Sequence, residues 1–179
     1  QLQNIRKNGI TLPILLMGYF NTILQFGVEK FLSRCQEVGI DGLIIPDLPI
    51  EVYQQEYKSL FDQYGILNTF LITPQTTEAR IRQIDSISSG FIYMVSSAST
   101  TGAKSAISSL QESYFDRISQ MNLNNSKLIG FGISNNETFL KACQFARGAI
   151  IGSAFVNLIA QSKNLREDIL RFVKSIRNQ

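Results

Sequence analysis

The chain has 179 residues, a formal net charge of +3, no histidine and two cysteines. Its length is read as one domain, and 44% hydrophobic residues is ordinary for a globular core. Without histidine, a Ser-His-Asp triad and a Cys/His zinc site are excluded.

Other classes fall away on pattern. Cys35 and Cys143 are far apart and read as reduced thiols packed in helix faces of an intracellular protein. The basic residues are dispersed (Arg80, Arg82, Lys127, Arg166, Arg171, Lys174, Arg177), without the grouping of a nucleic-acid surface. No apolar run is long enough to cross a bilayer, and Gln1 to Gly9 lacks the apolar core of a signal peptide. No starting Met is present, and the expected location is soluble and intracellular, cytoplasm or plastid stroma.

In chain order, short apolar runs alternate with amphipathic stretches. Pro13 to Phe20 reads as a strand and Leu24 to Val38 as a helix, with Phe26, Phe31, Leu32, Cys35 and Val38 toward the core and Gly39 as its stop. Gly42 to Pro46 is a strand buried on both faces. Glu51 to Tyr64 is a helix ended by Gly65. Leu67 to Thr73, Gly90 to Val95, Lys127 to Gly130 and Ala149 to Ile151 read as further strands. The helices that follow them are Thr77 to Ile87, a stretch through Met121, Asn136 to Phe145, then Ala154 to Gln161 and Leu165 to Ile176. Caps such as Ser134-Asn135-Asn136-Glu137 mark helix starts.

Six βα units imply a parallel sheet with right-handed crossovers. Their repeat of roughly thirty residues is that of a (βα)₈ TIM barrel of ~250 residues. The chain is therefore read as a single partial TIM-barrel domain, residues 1–179, supplying strands 3–8. Gln1 to Gly9 reads as the tail of a helix, with about two units expected upstream. An open doubly wound sheet is the alternative, but its Gly-rich turn belongs after the first strand, where only Gly18 stands.

Barrel chemistry sits at the C-terminal ends of the strands. Gly130-Phe131-Gly132-Ile133-Ser134 and Ile151-Gly152-Ser153-Ala154 both lie where a strand gives way to a helix. Backbone N–H groups and the positive helix end would there receive an anion, and the two turns form one phosphate pocket. Asp47 is the one carboxylate among the strand ends, read either as a general base or as a cap or contact between two prolines. Ser96 to Lys104 is long for a βα connection and reads as a flap or a plain loop. Tyr19 and Tyr93 are pocket walls or core.

The segments PILLMGYFN, GLIIPDLPIE, FLITPQTT, FIYMVSSASTTGAK, GFGIS and IIGSAFV, in this order and spacing, resemble the tryptophan synthase α subunit. The resemblance implies a TIM-barrel lyase that cleaves indole-3-glycerol phosphate into indole and glyceraldehyde 3-phosphate. It carries no cofactor of its own and works in an α₂β₂ assembly with a PLP-dependent β subunit, without a metal, nucleic acid or membrane. It further implies phosphate binding by Gly102, Gly132, Gly152 and Ser153. A substrate pocket would comprise Tyr19, Ile44, Tyr93, Thr101 and Phe131, with Thr101 as the flap threonine. Asp47 and Pro49 would contact the β subunit, which favours the contact reading of Asp47 over the catalytic one. The family's catalytic Glu and Asp match no residue of this chain, and Ser97 stands where the family often carries an arginine. Two alternatives are another phosphate-binding TIM-barrel enzyme and a non-catalytic partner of a β subunit.

Overall fold

The computed structural model describes residues 2–95, 109–130 and 132–178. Its strands are β1 (Leu15–Met17), β2 (Gly42–Ile44), β3 (Leu67–Ile72), β4 (Phe91–Val95), β5 (Ser126–Gly130) and β6 (Gly148–Ile150), hydrogen-bonded in chain order. Each coincides with an expected apolar run, most of them shortened at the ends. The expected flap Ser96 to Lys104, with Thr101 and Gly102, lies outside the described residues, as does Phe131.

The helix expected from Leu24 is two helices, α1 (Phe20–Phe26) and α2 (Val28–Val38). Gly27 separates them at φ +94, a conformation that favours glycine and ends the regular backbone ladder. The break explains why Phe26, expected toward the core, is 48% exposed. It closes α1 instead of continuing the stripe of Val28, Leu32 and Cys35 that α2 buries. Gly39 and Gly65 take the left-handed conformation at helix ends, as read from the sequence. Residues Ile50 to Tyr64 form α3 (Ile50–Val52), a π-helical turn (Tyr53–Tyr57) and α4 (Lys58–Tyr64). The remaining helices are α5 (Glu78–Ile87), α6 (Ser109–Ser119), α7 (Asn136–Cys143), α8 (Ser153–Gln161) and α9 (Leu165–Arg177).

The chain divides into two compact units, residues 1–71 with 82–92 and residues 72–81 with 93–179. In the first, β1, β2 and β3 pair in parallel, with Leu16 opposite Leu43 and Leu43 opposite Asn68. Successive strand residues point to opposite faces, so Leu16, Leu43 and Asn68 share one face while Met17, Ile44 and Thr69 share the other. Leu16 lines a cavity of ≈ 590 Å³ together with Phe26, Phe31, Cys35 and Val38, so its face is the one toward α2. Tyr53 packs edge-on against Phe61 and Phe70, with ring centroids 5.2 Å apart in each pair. Burying a side chain such as Phe61, fully enclosed here, stabilises by about 1.5–3 kcal/mol.

The opening segment is tied down by Arg6. Its guanidinium donates to Gly39 O (2.9 Å), Ile10 O (2.9 Å), Leu12 O (2.8 Å) and Asp41 Oδ2 (2.5 Å). Asp41 Oδ2 also accepts from Ile14 N at 2.7 Å, so one ion pair sets the entry into β1. In the second unit, β5 and β6 pair in parallel. Tyr114, Phe115 and Ile118 of α6 are buried, with the Phe115 ring 5.8 Å from that of Phe145, and Asn136 Nδ2 donates to Ile176 O at 2.7 Å, joining α7 to α9.

Burial raises the Cys35 thiol from 9.0 to about 11 and, with Asp62 adding to it, the Tyr53 phenol from 10.0 to about 12. Above pH 9 the unfolded chain therefore releases protons that the folded one retains, and stability falls as pH rises. Urea unfolding should show no effect of these groups below pH 9 and a declining midpoint between pH 9 and about 11, with a shallower decline in Cys35→Ala.

Candidate functional site

The second unit contains a helix terminus suited to an anion. β6 stops at Ile150, and α8 begins at Ser153 with Gly152 as its N-cap. The N-cap residue, a glycine, has no side chain with which to cap this end, and no acidic residue lies in its first turn. Phe155 N and Val156 N both donate to Gly152 O, at 2.9 and 3.0 Å. The N–H groups of Ser153 and Ala154 precede that first intrahelical bond and lack a helical acceptor. Gly152 and Ser153 are exposed, and a Cβ built on Gly152 would meet none of the described residues within 4 Å. Free N–H groups, the positive end of the helix dipole and open space are together what an anion requires.

The turn after β5 is finished differently. Gly132 adopts φ +80, which suits glycine. Asn135 Oδ1 accepts from Thr138 N at 2.9 Å, while Thr138 Oγ1 accepts from Ser134 N (3.2 Å) and Asn135 N (3.3 Å). This reciprocal cap already serves the N-terminus of α7. The sequence reading expects both helix ends to face an anion. The α7 end is occupied by its own side chains, and α8 presents the bare one. Gly130 is buried against Tyr93, and a Cβ there would overlap the Tyr93 ring. Tyr93 is buried, and that burial raises its phenol, which stays protonated at neutral pH.

In the first unit, Tyr19 is 70% exposed at the start of α1, and Ile44 is buried on the sheet face opposite Leu43. After β2, the buried Ile45, Leu48 and Ile50 anchor a loop that leaves Pro46, Asp47 and Pro49 exposed. Asp47 Oδ1 accepts from Phe20 N at 2.8 Å, so this carboxylate caps the start of α1. Pro49 is the N-cap of α3, and its carbonyl accepts from Tyr53 N at 2.9 Å.

Sequence reasoning missed Arg117 and Tyr114. Arg117 donates to Pro74 O (3.0 Å) and Thr76 O (3.4 Å), and Tyr114 Oη donates to Ile72 O (3.1 Å). Together they fasten the loop after β3 to α6. Their acceptors are backbone carbonyls about forty residues away, so no local pattern marks them. Among the described residues, no group of three His, Cys, Asp or Glu is arranged to hold a metal ion, and no helix is long and apolar enough to cross a membrane.

Two expected outcomes follow from these contacts. Gly130→Ala should destabilise by about 1–3 kcal/mol through overpacking against Tyr93, whereas Gly152→Ala, with free space, should leave the urea midpoint unchanged. Arg117→Ala should cost about 1–3 kcal/mol by leaving half-buried carbonyls unpaired, with faster amide exchange at residues 73–76.

The tryptophan synthase alpha chain family profile matches residues 1–178. The chain is 58% identical to the tryptophan synthase alpha chain of Flavobacterium johnsoniae over 177 residues, 99% of this chain and 69% of that one. It is 54% identical to that of Christiangramia forsetii, across 99% and 68%. Among solved structures, the Pyrococcus furiosus tryptophan synthase α subunit superposes with a TM-score of 0.86 at 29% identity, across 99% of this chain and 71% of that one. A structure of the P. furiosus tryptophan synthase α₂β₂ complex superposes with a TM-score of 0.85 at 30% identity, with the same coverage. The fold is that of the TIM barrel, of which this sequence holds six βα units, and the chain belongs to the tryptophan synthase alpha chain family.

Proposed function

We propose that this α chain cleaves indole-3-glycerol phosphate to indole and glyceraldehyde 3-phosphate, a retro-aldol lyase step in tryptophan biosynthesis. The observation that carries the reading is the bare, exposed N-terminus of α8, built from Gly152 and Ser153 and suited to a phosphate dianion. Gly132 and Gly102 are assigned to the same phosphate, and Tyr19, Ile44, Tyr93, Thr101 and Phe131 to the indole and its chain. The reading places the proton-transfer Glu and Asp outside these 179 residues.

A β subunit carrying PLP is the proposed partner in an α₂β₂ assembly, with no cofactor required on the α side. Exposed Pro46, Asp47 and Pro49, held out by three buried neighbours, support this contact. The α₂β₂ arrangement is that of the P. furiosus complex.

The test replaces Gly152 with Asp in the full-length protein. A carboxylate at the α8 terminus should repel the phosphate and weaken binding of indole-propanol phosphate at least about a hundredfold, with the urea midpoint nearly unchanged. Unaltered binding would remove the phosphate from this helix end. Binding of simple sugar phosphates in preference to the indole compound would favour a different barrel activity.

A further inference from the structure

One contact joins two segments to which the proposed function gives separate tasks. Asp47, in the loop after β2, is also the acceptor for the first N–H of α1, with Asp47 Oδ1 and Phe20 N 2.8 Å apart. The N-cap of α1 is Tyr19, whose own side chain makes no cap hydrogen bond. The helix following one strand is thus capped from the loop following the next strand, and the residue at the joint is Tyr19. A second link runs alongside. The Phe20 ring meets the Tyr57 ring edge-on, with centroids 5.3 Å apart and planes at 63°. Tyr57 closes the π-helical turn Tyr53–Tyr57 at φ −119, away from its helical neighbours. Such turns interrupt a helix at a cost and recur at functional sites. Here the turn is the element that carries Tyr57 against Phe20.

The arrangement is directional. Ile45, Leu48 and Ile50 are buried and hold the loop from below, and Leu48 N donates to Ile45 O at 3.3 Å. The loop is the fixed side of the link. Around Tyr19, Met17 is 55% exposed and Tyr19 itself 70%. Little packing orients this side chain, and its position follows from the backbone on either side. That backbone is held by Gly18 N donating to Ile44 O (3.2 Å) and by Phe20 N donating to Asp47. The strand-side bond belongs to the sheet ladder, whereas the helix-side bond depends on one carboxylate.

We propose that Asp47, assisted by Tyr57, is a positioning residue that sets the Tyr19–Phe20 turn for substrate binding. The inference rests on the functional reading above, in which Tyr19 lines the indole pocket. Asp47 itself touches no reacting atom; it acts through the Phe20 amide.

The test uses the full-length α chain without its β subunit, so that loss of a partner contact is not what is read. In Asp47→Ala, amide exchange at Phe20 should accelerate and KM for indole-3-glycerol phosphate should rise about tenfold, with kcat changed less than about twofold. Asp47→Asn keeps an acceptor oxygen and should recover both. In a Tyr19→Ala background, adding Asp47→Ala should raise KM no further, because the positioned group is already gone. A rise in KM without faster Phe20 exchange, failure of Asn to rescue, or full additivity with Tyr19→Ala would each overturn the proposal. If the unsubstituted protein cleaves normally and Asp47→Ala has the same KM, the positioning role alone fails. If the unsubstituted protein neither binds nor cleaves the substrate, the functional reading fails and this inference with it.

Discussion

Parallel pairing of very short strands is the constraint on which the rest depends. Leu15, Gly42 and Leu67 stand abreast, and so do Met17, Ile44 and Thr69. A slip of one residue would exchange Leu43, which faces the α2 side, with Ile44, which faces the other way. Local chemistry defends this register. A Cβ at position 42 would lie 3.0 Å from Leu67 O and 3.3 Å from Leu67 Cβ, a tight approach that glycine relieves. The Arg6–Asp41 pair adds a second restraint by holding Ile14 N in place at the entry to β1. Because the strands are three to six residues long, their following residues emerge within a turn of the sheet edge. That is how Tyr19, Asp47 and Gly152 come to be loop residues on anchored backbone.

Each helix start raises the same problem of unpaired N–H groups, and the chain answers it in three ways. At α7, Asn135 and Thr138 cap one another's backbone. At α1, the cap is borrowed from Asp47, 27 residues later in sequence. At α8 the N-cap is a glycine without a capping side chain, and a Cβ built on it would meet none of the described residues within 4 Å. An exposed helix start whose N-cap residue has no side chain can receive a ligand that brings its own negative charge. The contrast between α7 and α8 is more informative than the glycine content of either turn. Both turns carry glycine, and one of them is already satisfied from within.

Much of this was legible in the residues. Glycine at 39 and 65 marked helix ends because left-handed backbone costs other residues. The apolar run after Asp41 marked β2 because both of its faces are buried. Asn135 announced α7 because its cap partners lie within three residues. The break at Gly27 was missed, since a glycine inside an amphipathic stretch is compatible with a continuous helix until its φ is known. Phe26 was misplaced for the same reason.

The sequence by itself determined the alternation of strand and helix, the family and the glycine turns, because these rest on interactions a few residues apart or on matched segments. Tertiary structure alone decided that Arg117 holds Pro74 and Thr76, that Tyr93 demands glycine at 130, and that Asp47 serves the Phe20 amide. Each of these joins groups 27 to 43 residues apart. Their meeting depends on how strands are stacked in register, which no local propensity records.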